Sequence, residues 1–211
     1  MNKSLRRSIG ESSMEQPEIL RYAVGVLEEL NIPYLIVGSF ATSIWGEPRM
    51  TLDIDIVIDL REEQVEAFCL QFPPPEFYVS ETAAREAVAR RRQFNVLYPS
   101  TANKIDFMIS RNDEWSRLQL ERARTQPFDG DIKLQVCSPE DVIIAKMRYF
   151  KEGQSPKHLR DIAGVLDLQG KDIDRDYISH WANVLNLQEI WQQILVAEQN
   201  QSPGAGSIDS Q

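Results

Sequence analysis

Two aspartates, Asp53 and Asp55, stand in the run Asp53-Ile54-Asp55-Ile56-Val57-Ile58-Asp59, where acid alternates with aliphatic. At the strand period this puts Asp53 and Asp55 on one face and Ile54, Ile56 and Ile58 on the other. Like-charged carboxylates side by side repel unless a cation lies between them. Their all-oxygen donor set suits Mg²⁺ better than any softer metal. Upstream, the short apolar run Tyr34-Leu35-Ile36-Val37 breaks at Gly38-Ser39; a helix-like segment follows through Trp45, then a turn at Gly46-Glu47-Pro48. Glycine after a strand lets the backbone approach a ligand closely, and a following helix points its first N–H groups at whatever lies there. A phosphate-binding turn one strand away from a metal-binding acid pair is the outline of a nucleotide site.

Other residues are candidates for the same site. Asp106 is the single acid of Lys104-Ile105-Asp106-Phe107-Met108-Ile109, a strand that hairpin pairing could bring alongside the first two acids. Three carboxylates converging on one point are costly without metal, and with it they make a two-cation site. The plainer alternative is an acid paired with Lys104 at the surface. Lys146 has Val142, Ile143, Tyr149 and Phe150 as helical neighbours, all apolar. Its stem either snorkels to water or its ammonium meets an anion from another element: a triphosphate at Gly38-Ser39, or Asp161. Asp161 lies off the Leu159, Ile162, Ala163, Leu166 stripe, which on its own describes a solvated helical acid. Arg85, Arg90, Arg91 and Arg92 could grip an RNA backbone, but such a run more often marks a solvated helix end. His158 and His180 lack partner spacing for metal or acid–base work, and no Ser-His-Asp arrangement is visible.

Gly38-Ser39, thirteen intervening residues, then Asp53-x-Asp55 resembles motif I of the nucleotidyltransferase (polymerase-beta-like) superfamily. The fuller string, Val37-Gly38-Ser39-x-Ala41, then Gly46-x-Pro48-Arg49-x-Thr51-x-Asp53-Ile54-Asp55, resembles the AbiEii-type and related minimal nucleotidyltransferases. Ser138-Pro139-Glu140-Asp141, Lys146 and Arg160-Asp161-Ile162 resemble C-terminal motifs of the same families, where the lysine and the later aspartate accompany the nucleotide. The resemblance covers about residues 20 to 195. It implies transfer of a nucleoside monophosphate from an NTP to an acceptor hydroxyl, with release of pyrophosphate. Asp53, Asp55 and Asp106 would be catalytic and hold two Mg²⁺ ions, with Mn²⁺ as a substitute. Gly38, Ser39, Lys146 and Asp161 would attend the nucleotide, and Arg49 and Thr51 would order the loop before the acids. Members resembling AbiEii act as toxins, some adding nucleotides to tRNA ends, and pair with an antitoxin protein. Other members of the superfamily modify small-molecule antibiotics. A nucleotide- or partner-binding module without turnover is a further alternative, against which the three intact acids weigh.

The elements that must position these residues follow from periodicity and punctuation. The expected fold class is α/β (α+β): a nucleotidyltransferase palm with a mixed β-sheet over 17–137, then an α-helical domain over 138–199, with flexible tails at 1–16 and 200–211. Strands are expected at 34–37, 53–59, 77–80, 93–98, 104–110 and 132–137, and helices at 17–30, 61–72, 81–92 and 112–124. After Ser138 no strand pattern occurs. Helices start at Ser138-Pro139, Ser155-Pro156 and Asp174, and two apolar stripes, Ile178 to Leu185 and Leu187 to Leu195, are expected to pack on each other. With 211 residues, 42% hydrophobic and 26% charged, the chain has the composition of an ordinary soluble protein. A net charge of −9 argues against a broad nucleic-acid footprint but not against a local basic groove. No apolar run is long enough to span a bilayer, and the basic N-terminus has no apolar segment behind it, so neither a membrane partner nor a signal peptide is expected. Cys69 and Cys137 read as reduced core residues, and the expected location is cytoplasmic.

Overall fold

The computed structural model describes residues 14–48, 53–130 and 132–201. Among them, 14–41 with 53–138 form one compact unit and 42–48 with 139–201 a second. The fold is mixed α/β, with a seven-stranded mixed sheet and, among the described residues, nine α-helices. No described helix is long and apolar enough to cross a membrane.

In the first unit, helix α1 (Gln16–Glu29) opens with a capping box between Glu15 and Glu18 and with a proline in its first turn. It buries Ile19, Leu20, Ala23, Val24 and Leu27. The strands are β1 (Tyr34–Ile36), β2 (Asp53–Ile58), β3 (Tyr78–Val79), β4 (Gln93–Tyr98), β5 (Asn103–Ile109), β6 (Arg124–Asp129) and β7 (Ile132–Val136). Their order across the sheet is β3-β4-β5-β2-β1-β7-β6. β1 is buried throughout, as its unbroken apolar run requires of a central strand. β2 alternates as its sequence dictates: Ile54, Ile56 and Ile58 are fully buried, and Asp53 and Asp55 lie on the other face.

β2 runs antiparallel to β1 and parallel to β5. β5 pairs on its other side with β4 as an antiparallel hairpin, Phe94 opposite Phe107. Those two rings stack at 5.5 Å and meet Phe68 edge-on, at 5.7 Å from Phe94 and 5.1 Å from Phe107. This aromatic core fixes which face of β5 points inward and leaves Lys104 and Asp106 on the opposite one.

Three expectations are corrected. The helix expected over 112–124 is shorter, α5 (Glu114–Glu121), capped by Asp113, whose carboxylate accepts from Ser116 N–H. Arg124–Asp129 is instead edge strand β6, which lacks apolar alternation and carries Pro127, a residue confined to sheet edges. The helix expected over 61–72 divides into a 3₁₀ turn, Glu62–Gln64, and α3 (Val65–Leu70). Cys137 is buried but Cys69 is only half-buried, and neither forms a disulfide.

Helix α2 (Gly38–Trp45) spans the division between the units, and α4 (Glu81–Arg90) completes the first. The second unit contains α6 (Pro139–Gly153), α7 (Pro156–Gln169), α8 (Arg175–Val184) and α9 (Gln188–Gln201). Asp174 caps α8 by accepting from Tyr177 N–H at 2.9 Å. Ile178, Trp181, Ala182, Leu187 and Trp191 are buried, and Trp191 Nε1 donates to Ser179 Oγ at 3.0 Å, joining α9 to α8.

Candidate active site

The parallel register of β2 and β5 places Asp55 opposite Asp106 and Asp53 opposite Lys104. Because side chains alternate along a strand, all four residues project from one face. The chemistry on that face is three carboxylates and one ammonium. Asp53 is the outermost, its side chain 62% exposed, whereas Asp106 is 14% exposed. Lys104 Nζ donates to Asp106 Oδ2 at 2.8 Å and lies 3.9 Å from Asp53 Oδ1. The hydrogen bond to Asp106 raises the Lys104 pKa, and the charges of Asp106, Asp53 and Asp55 add to it against an opposing desolvation.

Behind Asp55 lies the start of α2. Gly38 has φ +64°, the left-handed region in which glycine is unstrained. A Cβ placed on Gly38 would overlap the Asp55 carboxylate, lying 2.7 Å from its Cγ and 2.9 Å from its Cβ. Val37 N–H donates to the Asp55 carbonyl at 3.0 Å, which ties the strand end to β2. The glycine therefore serves a close approach between the N-terminus of α2, where Ser39 follows, and one carboxylate.

The acids supply oxygen only, the donor set of a hard divalent ion. Asp55 and Asp106 face each other across adjacent strands, and the Gly38 backbone leaves room beside Asp55 that any side chain would fill. In donor chemistry and strand register the residues fit Mg²⁺. Their side chains are not gathered on one point: among the described residues no three His, Cys, Asp or Glu side chains are close enough to hold an ion together. Asp106 is turned to Lys104 instead.

Lys146 and Asp161 belong to the second unit. Lys146 Nζ donates to Asp161 Oδ2 at 2.6 Å, with the side chains only 5% and 9% exposed. Lys146 thus has as partner one of the two anions its sequence context admits, on α7. Asp161 is not the solvated helical acid its position off the apolar stripe suggests, because this ion pair draws it inward. Nearby in sequence, Asp141 is fully buried and accepts from Tyr177 O–H at 3.0 Å. Arg49 and Thr51 lie outside the described residues.

The arginine cluster is engaged locally. Arg85 reaches Glu62 and Glu81, each at 2.7 Å; Arg90 pairs with Glu86 at 2.9 Å; Arg91 donates to the Ser110 carbonyl at 3.0 Å. This agrees with a solvated helix end. The residue whose part in the site the sequence left undervalued is Lys104. Its signal was its place two residues before Asp106, which puts both on one strand face.

The family model for the nucleotidyl transferase AbiEii toxin of type IV toxin–antitoxin systems matches residues 37–187. No curated protein matches the sequence significantly. Among solved structures, the crystal structure of ANT(2")-Ia in complex with adenylyl-2"-tobramycin is similar in fold, with 12% identity and a TM-score of 0.51 over 84% of this chain and 97% of that one. A looser likeness, at 19% identity and a TM-score of 0.47, is to an antigenic nucleotidyltransferase-like protein from Paracoccidioides brasiliensis, covering 84% of this chain and 91% of that one. The lincomycin-bound lincosamide adenylyltransferase LnuA is matched at 13% identity and a TM-score of 0.44, over 74% of this chain and 98% of that one. The family match runs from the end of β1 through the acids of β2 and β5 to Leu187, well over half of the chain. With the acid face and the glycine turn already in place, this chain belongs to the AbiEii nucleotidyl transferase toxin family and is a nucleotidyltransferase enzyme.

Proposed function

We propose that the protein moves a nucleoside monophosphate from an NTP to the terminal hydroxyl of an RNA, with tRNA as the acceptor class, and does so as the toxin of a pair with an antitoxin protein. The observation that carries the chemistry is the in-register pairing of Asp55 with Asp106 beside the Gly38 turn. The antitoxin partner rests on membership of the AbiEii family, and RNA as acceptor on the resemblance of the sequence motifs to those of tRNA-modifying members.

Asp53, Asp55 and Asp106 would hold divalent cations, two Mg²⁺ by preference, which when bound offset the charge of the triphosphate and of the leaving pyrophosphate. Gly38 and Ser39 bring backbone N–H groups at the start of α2 to the phosphates. The acceptor oxygen attacks the α-phosphorus, the bond from that phosphorus to the β-phosphate oxygen breaks, and pyrophosphate leaves with the bonding pair. Asp106 takes the hydroxyl proton; its mostly shielded position opposite Asp55 suits a carboxylate that works on the acceptor side. By their resemblance to the family's C-terminal motifs, Lys146 and Asp161 would attend the nucleotide.

The test incubates the pure protein with Mg²⁺ and one α-labelled NTP at a time, with tRNA-rich total RNA in one arm and aminoglycosides or lincosamides in the other. Label on RNA together with pyrophosphate release supports the proposal. Label on a small molecule instead makes the antibiotic-type alternative correct. NTP binding without transfer to either acceptor identifies a binding module. Asp106→Asn should keep NTP affinity within a few-fold while turnover collapses, since the lost interaction belongs to the transition state.

A further inference from the structure

The acid face carries a cation of its own. Lys104 Nζ is 2.8 Å from Asp106 Oδ2 and 3.9 Å from Asp53 Oδ1. The geometry is built in: Lys104 precedes Asp106 by two residues on β5, and the parallel register sets Lys104 opposite Asp53 and Asp106 opposite Asp55. A divalent ion held by these carboxylates would seek the same Asp106 oxygen that the ammonium already holds. It would also arrive beside an existing positive charge. Without any cation, three neighbouring carboxylates would repel one another and the face would be destabilised. A lysine meets both demands, because its compact charge rides on a flexible stem and its side chain here is 38% exposed, so it can swing to water when displaced.

Resting on the metal reading of this site, we infer that Lys104 is the resident counter-ion of the acid face and that a divalent cation binds by displacing its ammonium from Asp106. Lys104 therefore weakens metal affinity while holding the metal-free face together. It acts through the acids and is a positioning residue rather than a catalytic one.

Direct Mn²⁺ binding, followed without nucleotide through the resonance of the free ion, tests this in wild type, Lys104→Met and Lys104→Arg. The methionine keeps the stem and removes the competitor, so it should bind Mn²⁺ about tenfold tighter, the low end for a charge-assisted bond partly screened by solvent. Adding Asp106→Asn to Lys104→Met should remove that gain. Metal-free Lys104→Met should melt below wild type, and saturating Mn²⁺ should raise its melting temperature by more than it raises the wild type's. Lys104→Arg keeps a charge with a stiffer fork and should bind no tighter than wild type. It stands as an independent check should the methionine variant fold poorly. Wild-type binding with Lys104→Met equal or weaker, or Lys104→Arg tighter, overturns the counter-ion role while leaving the metal site intact. Absence of binding to wild type and to both variants overturns the metal reading and the inference with it.

Discussion

Replacing Gly38 by alanine separates the role of this position in the site from its role in stability. The backbone at φ +64° costs an alanine about 1–2 kcal/mol. The added Cβ also meets Asp55, with Cγ at 2.7 Å and Cβ at 2.9 Å, so those atoms must retreat by about 1 Å to reach ordinary contact near 3.6 Å. Asp55 cannot retreat with its strand, because its carbonyl accepts from Val37 N–H and its neighbours Ile54 and Ile56 are fully buried. The carboxylate itself must move. A catalytic group misplaced by about 1 Å costs on the order of 100-fold in rate. Gly38→Ala should thus lose about 2–3 kcal/mol in urea unfolding and about 100-fold in kcat/KM for nucleotide transfer, while remaining folded. Gly130 supplies the control: its φ is +58° and, among the described residues, an added Cβ there meets nothing within 4 Å. Gly130→Ala should pay only the backbone strain and keep full activity. Transfer by Gly38→Ala within threefold of wild type would refute the argument that this glycine exists to seat Asp55.

Three further outcomes follow from ion pairs and a thiol. Lys146→Met leaves Asp161 buried without its ammonium and should destabilise the protein by about 3–5 kcal/mol in chemical unfolding, as should Asp161→Leu, with the double variant losing less than the two single changes combined; a loss below 1 kcal/mol for either single variant contradicts this. Arg175, hydrogen-bonded to Glu198 at 2.7 Å, holds the Glu198 pKa below the ordinary carboxylate range, so the pair's contribution is present above about pH 4.3 and is lost as pH falls through the lowered folded value. With a third of the side chain exposed that contribution is about 0.5–1 kcal/mol after screening, and Glu198→Gln should flatten the acid limb of stability against pH by that amount. Burial, reinforced by Glu81 and opposed by Arg85, pushes the Cys69 thiol up to about 11, so at neutral pH it should carry ~300-fold less thiolate than a free cysteine of pKa about 8.5 and alkylate correspondingly slowly; a rate matching free cysteine would contradict the burial.

The parts of the fold legible in the sequence are those set by short-range periodicity. The alternation in Asp53-Ile54-Asp55-Ile56 dictated both the strand and the face of each acid, since slipping by one residue would bury two carboxylates and expose three isoleucines. Proline near the start of α1 and an aspartate cap at α8 marked helix starts for equally local reasons. Strand β6 was not legible because nothing local makes Arg-Thr-Gln-Pro-Phe-Asp a strand. It pairs with β7 across a register irregularity between Pro127 and Asp129, and such an edge depends on a partner that the sequence does not identify.

At the site the same boundary separates what a strand determines from what a sheet determines. That Lys104 and Asp106 share a face is a property of β5 alone. That Asp106 stands opposite Asp55 is a property of the β2–β5 register, and the pairing is parallel, whereas the hairpin lies on the other side of β5, with β4. A hairpin could have been inferred from its turn; a parallel pair joins segments far apart in sequence and is specified by the buried faces of both strands, Ile54, Ile56 and Ile58 against Ile105, Phe107 and Ile109. The apolar side of the sheet therefore sets the geometry of the acidic side. Once that register is in place, the ammonium's choice of Asp106 over Asp53 follows from distance, 2.8 Å against 3.9 Å, and from the lower exposure of Asp106, where a hydrogen bond is less screened by water. Substitutions in the core at Phe107 or Ile56 should on this argument disturb the acids without touching them, because the contacts that hold Asp55 and Asp106 level lie on the opposite face.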